Sequence, residues 1–67
     1  MEKWEYLRIR EDWGRPRWVN QQELPDWRKM PLIHPFLNDL GEQGWEMIGQ
    51  MLEGGEIIFT FKRPKNE

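Results

Sequence analysis

The apolar positions of this chain change period along its length. Residues 3–10, Lys-Trp-Glu-Tyr-Leu-Arg-Ile-Arg, are rich in aromatic and β-favouring types and hold no Gly or Pro. They predict a strand with Glu5, Leu7 and Ile9 on one face and Trp4, Tyr6, Arg8 and Arg10 on the other. Asp12-Trp13-Gly14-Arg15-Pro16 predicts a turn, because Gly14 accepts positive φ and Pro16 cannot donate to a ladder. Residues 17–21 then predict a returning strand, placed at a sheet edge by the Pro16 at its start. Pro25, Pro31 and Pro35 punctuate the next stretch, so residues 23–33 are expected as a loop.

A helical period begins near Ile33. Ile33, Phe36, Leu37 and Leu40 fall at i, i+3, i+4 and i+7, one apolar stripe. A helix is predicted over residues 35–44, with Pro35 at its first position and Gly44 as its left-handed cap. Trp45–Leu52 and Glu56–Lys62 predict strands joined through Gly54-Gly55, a two-residue hairpin signal. Counting outward from that turn pairs Leu52 with Ile57, Gln50 with Phe59 and Ile48 with Phe61 on one face. Met51 with Ile58, Gly49 with Thr60 and Met47 with Lys62, ending at Trp45, occupy the other. The first face is the more apolar and is expected to meet the helix stripe together with Leu7 and Ile9.

The expected fold is α+β: one small domain over residues 1–67, β-β-α-β-β, a mainly antiparallel sheet with one short helix on one face. Residues 11–32 form a hairpin or loop insert, and the strand order stays open because the insert can return on either edge. Leu7, Ile9, Phe36, Leu37, Leu40, Ile48, Leu52, Phe59 and Phe61 are the expected core. Lys62-Arg63-Pro64-Lys65 is expected as a solvated tail.

Composition narrows the chemistry. The chain has no Cys, Ser or Ala and a single His, His34, so serine and cysteine nucleophiles and multi-histidine metal sites are excluded. His34 itself is read as a helix-start residue, and no enzymatic role and no cofactor are expected. Five Trp in 67 residues supply large buried area to a chain with little room for a core. Net charge is −2, which disfavours long nucleic acid as a partner. The bases are nonetheless unevenly spread: residues 1–32 carry seven Lys/Arg against six Asp/Glu, and residues 33–67 carry three against six. No apolar run is long enough to span a bilayer and no apolar signal segment opens the chain, so the expected location is the cytoplasm.

Trp4-Glu5-Tyr6, then Leu37-Asn38-Asp39-Leu40-Gly41 with Gly44-Trp45-Glu46-Met47-Ile48, then Phe61-Lys62-Arg63-Pro64 resemble one family in order and spacing. It is the small bacterial, archaeal and phage family called domain of unknown function 4177. The resemblance covers most of residues 3–10 and 37–64 and implies a small α+β domain with an antiparallel sheet and one helix. It implies no established activity, and residues 11–32 have no counterpart in it.

The outer sheet face, away from the helix, is the candidate site. The derived register gathers Trp4, Tyr6, Trp45, Met47, Met51 and Ile58 there, mixed with Arg8, Arg10, Thr60 and Lys62. A single-layer sheet normally turns a polar face to water, and an apolar patch on so small a domain marks a contact surface. Three occupants compete: the 11–32 insert with Trp13, Trp18 and Trp27; a second copy; or a nucleotide or short oligonucleotide stacked on the aromatics with its phosphates on the arginines. The favoured expectation is a non-enzymatic interaction module that self-associates through this face as a dimer or higher oligomer. The alternative is a small-ligand binder that holds a nucleotide or short oligonucleotide on this aromatic and arginine surface, with sequestration of a signal nucleotide as one use of it.

Overall fold

Alternation in the first segment builds β1 (Trp4–Asp12), which turns through Trp13-Gly14 into β2 (Arg15–Val19). In the computed structural model, which describes residues 1–65, a second tight turn at Asn20-Gln21 leads to the two-residue β3 (Gln22–Glu23). A short 3-10 turn at Trp27–Lys29 comes next, then α1 (Ile33–Glu42), β4 (Glu46–Glu53) and β5 (Glu56–Pro64). The strands form one antiparallel sheet in the order β3-β2-β1-β5-β4 with the helix on one face, a small α+β domain. The insert therefore returns on the β1 side. β2 is not the outermost strand: β3 pairs with Trp18 and Val19, while Pro16 lies beyond the end of β3.

Each hairpin uses two central residues with positive φ, the geometry whose twist matches right-twisted strands. Trp13 and Gly14 have φ of 53° and 75°, Asn20 and Gln21 49° and 70°, and Gly54 and Gly55 59° and 83°.

The helix starts two residues earlier than its proline implies. Pro35 is the third helical residue, still within the first turn where the missing N–H has no partner to lose. At the other end Gly44 has φ of 91°. Its N–H donates to the Gly41 carbonyl and the Trp45 N–H to the Leu40 carbonyl, both at 3.0 Å, a Schellman closure. The closure sets the direction in which the chain leaves the helix: Trp45, the residue after the cap, packs back on the core beside Leu40.

Ile9, Leu40, Phe59 and Phe61 form the buried centre, and Leu7, Val19, Ile33, Phe36, Leu37, Trp45 and Ile57 pack against it. The helix stripe thus meets the sheet face read from the sequence. Two expected core residues do not join it. Ile48 is exposed and Leu52 is 73% exposed, because every residue of β4 is exposed and the ten-residue helix does not reach over that edge. Trp27, Pro16 and Ile58 are buried instead.

Candidate functional site

The expected β4–β5 register holds from the hairpin up to Gly49 opposite Thr60 and then shifts. Met47, not Ile48, stands opposite Phe61, and Glu46 stands opposite Lys62. Ile48 is the extra residue of a β-bulge, so Ile48 and Gly49 together face Thr60. One inserted residue moves everything before it to the other face. Met47 is thereby placed in register with the helix face, and Trp45 joins the core, so neither belongs to the outer face assigned to it from the sequence.

Trp4, Tyr6, Arg8, Arg10, Met51, Ile58 and Lys62 do share the outer face, as the pairings of β1 and β4 with β5 require. They divide into two regions. Toward β4 and the chain start the face is open: Tyr6 is 60% and Met51 51% exposed. Trp4 is screened by the Lys62 ammonium, which sits 4.3 Å from its ring centroid. Toward β2 the face is built up by the insert. Trp18, opposite Arg10 in the ladder, brings a third aromatic ring to this face. Ile58 is only 2% exposed, so it is part of the protein's own packing and not a contact residue. The insert covers one end of the outer face and leaves the other bare.

The arginines have separate fates. The Arg10 guanidinium donates to Glu56 at 3.0 Å and to Glu53 at 3.4 Å, bridging two like charges that stand opposite each other at the base of the Gly54-Gly55 turn. The hydrogen bond to Glu56, opposed by desolvation and aided by Glu53, raises its pKa. Arg17 donates to Asp12 at 2.5 Å and to Glu23 at 2.7 Å, and its plane lies 4.6 Å from the Trp27 ring centroid. The bond to Asp12, then that to Glu23, raises its pKa as well. Arg63 is not part of a solvated tail. It sits in β5, donates to Glu5 and to the Gln43 carbonyl at the end of α1, and stacks 4.1 Å from the Trp45 ring. A cation there is favoured by the negative end of the helix.

Arg8 is different. Its backbone is clamped by Asn20, whose Oδ1 accepts the Arg8 N–H and whose N–H donates to the Arg8 carbonyl, both at 2.9 Å. Its guanidinium has no ion pair or hydrogen bond among the described residues, and it borders a cavity of about 380 Å³ with Arg10, Trp18, Gln21, Glu56 and Ile58. A second groove, of about 390 Å³, lies between Trp13, Arg15, Arg17, Trp27 and Arg28 at the end of the insert. Arg15 holds the insert by donating to the Met30 carbonyl.

His34 is exposed in the first turn of α1. Among the described residues no three His, Asp or Glu side chains converge as ligands of a metal ion would. Among the same residues no helix is long and apolar enough to cross a membrane. Compared with protein-family models, curated proteins and solved structures, the chain matches none. Sequence reasoning named Trp18 among the insert residues that could cover the outer face but missed Gln21, because the return of the insert could not be placed.

Proposed function

We propose that the protein is a non-enzymatic module that pairs with a second copy of itself through β4. The observation that carries this reading is the symmetry of that strand. Once Ile48 and Gly49 count as one bulged position, β4 reads Glu, Met, Ile/Gly, Gln, Met, Leu, Glu. It is a palindrome in residue class about Gln50. A two-fold antiparallel pair of β4 strands sets Met47 against Leu52 of the second copy and Ile48/Gly49 against its Met51. Gln50 then faces Gln50 and Glu46 faces Glu53. Cross-strand partners must share a face, and here they do: Met47 and Leu52 lie on the helix side, Gly49 and Met51 on the outer side. Without the bulge Met47 and Leu52 would lie on opposite faces, so the bulge is what makes the strand compatible with its own image.

The exposed apolar residues of β4 supply the driving force, and the unpaired ladder edge supplies hydrogen bonds. Glu46 and Glu53 at the ends each have a cation at hand, Lys62 as cross-strand partner and Arg10 at 3.4 Å. An isologous contact of this kind closes on itself, which a small chain needs to gain core without growing into fibres. Relative to the sequence expectation, the surface moves from the middle of the outer face to the sheet edge.

The chain's lack of Cys makes the test direct. Gln50→Cys places one thiol beside its own copy, where Cβ atoms of a directly opposed pair approach about 4.5–5.5 Å, close to disulfide range. It is expected to oxidise to a covalent dimer, whereas Met47→Cys and Leu52→Cys alone are not, although a mixture of those two is expected to cross-link. Equal cross-linking of all three single variants would defeat the reading.

A further inference from the structure

The cavity beside Arg8 lies across β1, β2 and β5, clear of β4. It is lined by the buried Ile58, by Trp18 and Gln21, and by the charged Arg8, Arg10 and Glu56. Its volume of about 380 Å³ falls within the range of small-molecule sites. Two arginines border it against one carboxylate, and that carboxylate is already engaged by Arg10. The local charge is thus positive on a chain whose net charge is −2.

A second observation points the same way. All three hairpin turns require positive φ at their second central residue, and two of them place Gly there, Gly14 and Gly55. The third places Gln21, with φ of 70°. Trp13 and Asn20 also carry positive φ, at the first central positions of their turns, but of the three only Gln21 lines this cavity. Gln21 borders the cavity, and a glycine there would offer it no side chain.

From the free Arg8 guanidinium, the aromatic and apolar lining of Trp18 and Ile58 and the positive-φ Gln21 beside them, we infer that the cavity binds one small planar aromatic anion of nucleoside monophosphate size. The ring lies against Trp18 and over Ile58, the Gln21 amide reads its polar edge, and Arg8 takes the anionic group. Stacking tolerates any base, so the amide and the walls of the slot set what selectivity there is.

The probes are AMP and UMP, with adenosine and inorganic phosphate as half-ligands, measured by isothermal titration. At least one nucleotide is expected to bind more tightly than either half-ligand. Arg8→Gln is expected to weaken the nucleotide about tenfold, the worth of one charge-assisted hydrogen bond, and to leave adenosine unchanged. Gln21→Gly separates function from support: it relieves the turn, so Tm is expected to rise by roughly 3 °C while nucleotide binding weakens. Absence of binding by both nucleotides at about 10 mM overturns the inference, that being weaker than any specific site. So does binding that Arg8→Gln and Gln21→Gly leave untouched. Gln50→Cys cross-linking does not involve this cavity, so the two proposals fail independently.

Discussion

At the scale of single residues, Leu40 and Gly44 decide more than their neighbours. Leu40 is 6% exposed, is the last residue of the helix stripe and a member of the buried centre, and its carbonyl receives the Trp45 N–H that ends the helix. Leu40→Ala opens a cavity between α1 and the sheet and is expected to cost about 2–5 kcal/mol. For a domain of this size that lowers Tm by roughly 10 °C or more, read by a thermal melt. Gly44→Ala leaves every side chain in place, yet it forces a Cβ into a φ of 91°. The expected loss is about 1–2 kcal/mol. Because the Schellman closure aims Trp45 at the core, that variant is also expected to shift Trp45 emission, and an unchanged melt would contradict this account of the cap.

At the scale of elements, the parts legible in the sequence were those fixed by local rules. The Ile33-Phe36-Leu37-Leu40 stripe, the Gly44 cap and the Gly54-Gly55 turn each follow from spacing or from one residue's backbone freedom, and the structure has all three. The register was legible only as far as Gly49. A bulge adds a residue without leaving a compositional trace, since Ile48 is as good a strand residue as any other. The exposure of Leu52 was hidden for another reason: face assignment says which way a side chain points, not whether the helix extends far enough to cover it. β3 was invisible because two residues carry no period.

The bulge itself yields a prediction. Deleting Ile48 removes the extra residue and leaves Met47 opposite Phe61 and Gly49 opposite Thr60, now as consecutive pairs. The ladder is expected to survive, with β4 amides exchanging no faster than in the parent. Deleting Met51 instead shifts every preceding residue to the opposite face and is expected to unfold the hairpin. If both deletions behave alike in hydrogen exchange, Ile48 is not the bulged residue.

At the scale of the molecule, the accessible surface is 5108 Å², against about 4,600 Å² for an average monomer of 8.3 kDa. The excess fits an elongated shape, 39 × 22 × 19 Å, in which one sheet edge lacks a helix above it and an insert beneath it. Pairing two β4 strands would give one ten-stranded sheet with the Arg8 cavities far apart and both open. The contact is a single strand from each copy, smaller than the roughly 800 Å² per partner of a standard interface, so the expected Kd is micromolar. Dimer is therefore expected to dominate in sedimentation at tens of micromolar, falling toward the 8.3 kDa monomer on dilution. Tm is expected to rise with protein concentration over the same range, because the paired state is folded on both sides. Met51→Glu places a carboxylate among apolar residues of the partner strand and is expected to abolish the dimer. It should leave the monomer's helix signal intact, since Met51 is half exposed and lies on the face away from the helix. Tyr6→Glu, on the outer face but off β4, is expected to leave the dimer unchanged. The opposite outcome, with Tyr6→Glu dissociating the pair and Met51→Glu sparing it, would move the interface back to the middle of the outer face.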